Sequence, residues 1–131
     1  MPKKLLPVVL ALAALLASAL AFAGVATARY GPPVAARHKT TVVNVTEKEY
    51  KITLSRKTFK PGAYRFMVVN RGKLTHSLAI NGPGVPHRRT SRIAPGGSAQ
   101  LSVTLKKGTY RLTCPIDGHT ALGMELSIRV H

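Results

Sequence analysis

Three side chains near the C-terminus combine residue types that bind soft metal ions. Cys114, His119 and Met124 follow one another in the pattern Cys-x4-His-x4-Met, and His76 lies upstream on a segment with strand-like alternation. Structural zinc sites prefer more thiolates or carboxylates and a closed tetrahedron. A thiolate, two imidazoles and a weak thioether instead suit a soft, open site. Copper is the metal that fits this donor set best, in the pattern of one-electron transfer centres.

The N-terminal segment has the features of a secretory signal peptide. Lys3 and Lys4 give a positive start, residues 5–28 carry no charge, and cleavage signals of small residues end at Ala23 and Ala28. We expect residues 1–28 to be removed and the protein to be periplasmic or extracellular. The alternative is an uncleaved anchor, because 24 uncharged residues at ~1.5 Å each reach across a ~30 Å hydrocarbon layer.

Cys114 is the only cysteine of the chain. In an exported protein a lone cysteine cannot form an internal disulfide, so it is a thiol that pairs with a partner, an inert buried residue or a metal ligand. Its spacing from His119 and Met124 favours the ligand.

The mature part of the chain has the pattern of an all-β domain. Residues 29–39 are rich in Pro, Gly and Ala and predict a flexible linker. From residue 40 to 131 apolar residues alternate with polar ones, interrupted by Gly, Pro and Asn. Seven to eight short strands without a helical stripe predict a Greek-key β-sandwich. Within it we expect a hairpin at 106–108, a polar loop at 87–89, and Met67 in the core.

The alternation also predicts where the candidate ligands meet. His76 shares its strand face with Leu78 and Ile80, and Cys114 shares its own with Tyr110 and Leu112. Because side chains alternate across a strand, both ligands point inward and can meet at one end of the sandwich. Loops then carry His119 and Met124 over the same end, and the glycine before each of them permits a tight bend.

The sequence from residue 40 to 131 resembles a cupredoxin of the plastocyanin and azurin type. The likeness lies in Asn-Arg-Gly at 70–72 before His76, in Gly-Thr-Tyr at 108–110 leading to Cys-Pro at 114–115, and in the Gly-His and Gly-Met pairs at 118–119 and 123–124. It implies an eight-stranded sandwich that binds one type 1 copper ion through His76, Cys114, His119 and a weaker axial Met124. It also implies single-electron transport by Cu(I)/Cu(II) cycling.

The ligand loop is more similar to that of rusticyanin than to those of plastocyanin and azurin. Both gaps, between Cys114 and His119 and between His119 and Met124, contain four residues, and Ser77 follows His76. The likeness implies a high reduction potential and tolerance of acid. The hydroxyls of Ser77 and Thr113 are candidates to orient the ligand loops and tune the potential, and the alternative for both is an ordinary strand hydroxyl.

The charge of the chain is strongly basic, with 20 Lys and Arg against 4 Asp and Glu. Without residues 1–28 there remain 18 basic and 4 acidic residues, a net charge of +14. Nucleic acid is not expected as a partner, because the basic residues are scattered and aromatic residues are few. The charge can instead steer an acidic redox partner, attract an anionic membrane surface, or keep the protein soluble.

We expect a monomer that docks redox partners near His119, which would be the exposed ligand. Its apolar rim is predicted to contain Pro115, Ala121, Leu122, Pro83 and Val85. Two other functions stay open: a copper-binding and delivery protein without redox turnover, and a metal-free sandwich that acts as an interaction module. An enzyme is not expected, since a catalytic copper protein needs further histidine clusters or a second domain.

Overall fold

The computed structural model describes residues 39–131 of the chain. The predicted signal peptide at 1–28 and residues 29–38 of the predicted linker lie outside this range. Within it, no helix is long and apolar enough to cross a bilayer. The described residues form eight strands: β1 Thr41–Lys48, β2 Lys51–Leu54, β3 Gly62–Asn70, β4 Ala79–Gly82, β5 Val85–Arg89, β6 Ser98–Leu105, β7 Gly108–Thr113 and β8 Glu125–Val130.

The strands form two four-stranded sheets that face each other. One sheet has the order β2-β1-β3-β6 and the other β5-β4-β7-β8. All neighbours are antiparallel except β1 and β3, which run parallel. The chain passes from one sheet to the other after β3, β5 and β6, so strands adjacent in sequence do not always pair. The predicted all-β sandwich is therefore confirmed.

A core of alternating apolar side chains lies between the sheets. Along β3 every second residue from Tyr64 to Val68 is buried, and Arg65 between them is exposed. The inward side chains of β6 and β7 show the same period of two. Burial of one face of each sheet is what makes the alternation readable in the sequence.

Three local expectations were wrong. The turn at 106–108 is not a hairpin, because β6 pairs with β3 and β7 lies in the other sheet. Residues 87–89 belong to β5, an edge strand whose last four side chains are all exposed. Met67 lies on the outer face of β3 and is 37% exposed, because it has the parity of Arg65 rather than of the core residues.

Candidate metal centre

Three of the four candidate ligands meet at one end of the sandwich. His76 precedes β4 and forms an isolated bridge with Ile93, Cys114 follows β7, and His119 lies in the loop between β7 and β8. Their donor atoms all lie within 4.8 Å of one another. Nδ1 of His76 is 3.3 Å from Nδ1 of His119, and the Cys114 sulfur is 3.9 Å and 3.5 Å from these two nitrogens.

The loop from Cys114 to Met124 is closed on itself by hydrogen bonds. The Cys114 N–H donates to the Met124 carbonyl at 3.1 Å, and the Met124 N–H donates to the His119 carbonyl at 3.0 Å. Gly118 and Gly123 have φ angles of 79° and 94°, in the left-handed region that favours glycine. The expected tight bends before His119 and Met124 are thus present. The Met124 side chain, one residue before β8, is fully buried.

The centre is shielded from solvent almost completely. Cys114, His76 and Met124 are 0% exposed, and His119 is 7% exposed. The expectation that His119 is an exposed ligand was therefore wrong, although it is the candidate nearest to solvent. Tyr50 packs edge-on against its ring with centroids 5.2 Å apart.

Of the predicted rim, Pro115, Ala121 and Leu122 are exposed beside this loop. Pro83 and Val85 were wrongly assigned to the rim. The hydroxyl of Tyr110, near the start of β7, donates to the Pro83 carbonyl at the opposite end from Cys114. Val85 is buried in the core.

Burial sets the protonation of the candidate ligands. It raises the pKa of the Cys114 thiol above its usual value, although the backbone N–H groups of Ile116 and Ser77 act in the opposite direction. Burial, followed by the nearby His119, lowers the pKa of His76. At neutral pH His76 is therefore a neutral imidazole and Cys114 a thiol, so a metal that binds there must displace the thiol proton.

The donor set and its dimensions fit one copper ion. A point equidistant from three atoms separated by 3.3, 3.5 and 3.9 Å lies about 2.1 Å from each, which is a bond length for first-row metals with nitrogen and sulfur ligands. Two imidazoles and a thiolate are the ligands of trigonal copper sites. The cluster thus has both the size and the chemistry for copper.

Sequence reasoning missed Glu49, Asn70 and Thr120 as residues that support the centre. Glu49 places Oε1 3.4 Å from Nε2 of His76. The pKa of Glu49 is lowered to about 2, chiefly by the hydrogen bond from the backbone N–H of Leu74 and with help from that of Lys73. Thr120 donates to the Cys114 carbonyl at 2.8 Å. Of these three residues, only Asn70 could have been found from the sequence. It stands two residues before a glycine, which is typical of an Asn side chain that hydrogen-bonds the backbone of its own turn.

The Ser77 hydroxyl does not serve as predicted. It lies 3.2 Å from both the carbonyl and the hydroxyl of Thr90. Its backbone N–H, rather than its side chain, interacts with Cys114.

Comparisons with known proteins agree with this fold. Auracyanin from the photosynthetic bacterium Roseiflexus castenholzii, in dithionite-reduced form, is 21% identical with a TM-score of 0.56, over 72% of this chain and 98% of its own. Auracyanin A, a "blue" copper protein from Chloroflexus aurantiacus, is 12% identical with a TM-score of 0.60, over 71% and 100%. Rusticyanin from Thiobacillus ferrooxidans is 21% identical with a TM-score of 0.58, over 71% and 78%.

At these identities the likenesses establish the fold alone. The comparison with curated protein sequences found no match. The family model of the cupredoxin-like domain, however, matches residues 8–124, which is most of the chain. With a two-sheet sandwich that gathers two histidines and a cysteine at one end, this chain belongs to the cupredoxin family.

Proposed function

We propose that this protein carries single electrons between redox partners by means of one type 1 copper ion. The observation that carries the proposal is the buried triangle of Nδ1, Nδ1 and sulfur atoms of His76, His119 and Cys114. A bound copper ion would supply the chemistry, the gain and loss of one electron between Cu(II) and Cu(I). The protein is proposed to be a carrier and not an enzyme.

We propose that His76, Cys114 and His119 would hold the copper ion, with Met124 as a weaker fourth ligand. Support for Met124 comes from its complete burial and from the hydrogen bond that its backbone carbonyl accepts from the N–H of Cys114. The three stronger donors come from two segments held by hydrogen bonds, His76 before β4 and Cys114 and His119 in the loop between β7 and β8. They can therefore keep nearly the same positions when the charge of the site changes. Small rearrangement favours fast electron transfer.

Partners are proposed to dock over the loop that carries His119. Exposed Leu122 and Leu74, at 59% and 43%, offer apolar contact of the limited area that brief redox complexes use. Arg89 and Arg92 line a hollow beside Pro115 and Ile116. An acidic redox protein would match this basic border, and an anionic membrane surface is a second candidate for it.

We also propose that the protein is exported and that it is a monomer with a single folded domain. Residues 1–28 are proposed to be a cleaved signal peptide and 29–39 a linker, with the copper domain at 40–131. The low charge and small residues of the N-terminal segment support this division.

Copper binding is tested by colour. Addition of Cu(II) to the purified protein should give an intense blue absorption from sulfur-to-copper charge transfer. Cys114→Ser should be colourless, while Met124→Leu should stay blue and have a higher reduction potential, because a weak ligand that favours Cu(II) is lost. A Cys114→Ser protein as blue as the wild type would contradict the proposed ligand set. A colourless wild type would favour one of the two other functions, copper delivery without redox turnover or a metal-free interaction module.

A further inference from the structure

Glu49 lies where the chain turns from β1 to β2, and its carboxylate is fixed by the backbone of a distant loop. Oε1 accepts hydrogen bonds from the N–H groups of Lys73 and Leu74, the latter at 2.8 Å. This loop connects β3 to His76. The carboxylate therefore joins the end of β1 to the segment that presents a proposed ligand.

The same oxygen faces the ring of His76. Oε1 is 3.4 Å from Nε2, and the ring is fully buried. Nε2 makes no hydrogen bond of standard geometry within residues 39–131, so the carboxylate is the polar group placed to receive its proton. On the opposite side of the ring, Nδ1 faces His119 and Cys114. The geometry thus puts the N–H on Nε2 and leaves the lone pair of Nδ1 free for a metal.

Gly72 provides the space in which the carboxylate and the ring meet. A Cβ atom at this position would lie less than 3.0 Å from Oε1 of Glu49 and 2.9 Å from Nε2 of His76. Contacts that short are essentially never made by real Cβ atoms. Any other residue at 72 would push the two groups apart, so the close approach is built into the loop.

We infer that Glu49 is a positioning residue for His76. Its carboxylate holds the His76 ring in the Nε2–H tautomer and makes the oxidised form of bound copper more favourable. This inference rests on the proposed copper site. A carboxylate that accepts the far proton of a metal-bound imidazole orients the ring and makes its other nitrogen a stronger donor. Added donor strength and negative charge both favour Cu(II) over Cu(I), so the carboxylate lowers the reduction potential.

The two imidazoles of the centre are unequal in this respect. His119 packs edge-on against Tyr50, while His76 meets the carboxylate of Glu49. Removal of the Glu49 charge should therefore affect the copper site through the ring of His76.

The first test needs no copper. In the metal-free protein at pH 8, nitrogen-15 NMR should show His76 protonated on Nε2, with this proton protected from exchange with water. Glu49→Ala should speed its exchange by about tenfold or more, the loss expected for a hydrogen bond to a charged group. Asp117→Asn, which removes an exposed acid from the ligand loop, should leave the exchange unchanged. Protonation on Nδ1 in the wild type, or equal exchange in Glu49→Ala, would overturn the inference.

The second test is the reduction potential of the copper-loaded protein. Glu49→Gln keeps an oxygen for the two backbone amides and removes the charge. At a fixed solution potential it should lower the ratio of Cu(II) to Cu(I) about tenfold, equivalent to 59 mV for one electron. Asp117→Asn is the control for an exposed charge on the ligand loop and should change the ratio less than about twofold, because solvent screens an exposed group.

Gly72→Ala separates contact from charge. It keeps the carboxylate and displaces it from Nε2, so it should change the potential in the same direction as Glu49→Gln, by a smaller factor. Equal potentials for the wild type and Glu49→Gln, or equal shifts in Glu49→Gln and Asp117→Asn, would overturn the inference. A wild type that binds no copper would contradict the proposed function, whereas the NMR result would still decide the role of Glu49.

Discussion

At the scale of single residues, Glu47 is a carboxyl group buried in the core of the sandwich. It follows Val43 and Val45 on the inward face of β1 and is 0% exposed. Neither carboxylate oxygen makes a hydrogen bond within residues 39–131. Burial raises its pKa from 4.5 to about 7, because an unpaired charge is costly away from water. The folded protein therefore binds this proton more tightly than the unfolded chain does.

Stability should consequently fall as the pH rises through the range between these two pKa values. Below pH 4.5 both states hold the proton, so Glu47 adds no pH dependence to the stability. Between pH 4.5 and about 7 only the folded state holds it, and the full loss of roughly 3 kcal/mol is reached above that range. Glu47→Gln should raise the free energy of unfolding of the copper-free protein at pH 8 by up to this amount, with little change at pH 4. Denaturant unfolding at both pH values measures it.

Glu125→Gln is the matched control. Glu125 is an exposed acid on β8 that pairs with Arg111, so its loss should change stability by less than about 1 kcal/mol at either pH. A Glu47→Gln protein with the same pH dependence as the wild type would show that Glu47 is ionised in the fold.

The residues of the centre differ in how far the sequence predicts them. His76 and Cys114 were predictable because residue type and strand parity both act locally. Glu49 was not, because its relation to His76 depends on the β1 end lying beside a loop more than 20 residues away. Nor was Thr120, whose bond to the Cys114 carbonyl exists only after the ligand loop has closed.

At the scale of elements, Asn70 at the end of β3 hydrogen-bonds two loops, the one before His76 and the one that contains Ile93. Its amide NH2 donates to the carbonyls of Leu74 and Ile93 at 2.7 and 2.8 Å, and its oxygen accepts from the N–H of Gly72 at 2.8 Å. Ile93 in turn forms the bridge with His76. One fully buried side chain thus fixes both segments that flank this proposed ligand.

Loss of these bonds should destabilise the fold and loosen the centre. Asn70→Ala leaves backbone groups without partners, and we expect the free energy of unfolding to fall by about 2–4 kcal/mol, from the cost of unsatisfied buried groups. Asn81→Ala, at an exposed position on β4, should cost less than about 1 kcal/mol. Denaturant unfolding of both variants measures the difference, and equal losses would contradict the role given to Asn70.

The strands were predictable where one face is buried and less so elsewhere. Alternation located β1, β3, β6 and β7 because each buries every second side chain. β5 was missed because only its first residue enters the core. The hairpin at 106–108 was wrong since alternation gives the face that a strand buries and not the sheet to which it belongs.

At the scale of the whole molecule, the surface carries charge of almost one sign. Beyond residue 28 there are 18 basic and 4 acidic residues. Glu47 is buried and Glu125 pairs with Arg111, so little negative charge faces solvent. Near the centre, Arg71 and Lys73 lie exposed in the loop before His76. A potential of this kind attracts anions over a distance that salt controls, about 30 Å at 0.01 M ionic strength and 3 Å at 1 M.

Electron transfer with small charged reagents should reveal this potential without knowledge of the natural partner. The rate at which hexacyanoferrate(II), an anion, reduces the copper-loaded protein should fall about tenfold or more between 0.01 M and 1 M salt, as expected for steered association. A cationic ruthenium ammine should show the opposite trend. Lys73→Gln, in the loop before His76, should slow the anion more than Lys107→Gln, which removes the same charge from the turn between β6 and β7. Rates that do not respond to salt, or equal effects of the two variants, would show that the positive charge does not steer reagents to the centre. Attraction to an anionic membrane surface and solubility would then be its remaining uses.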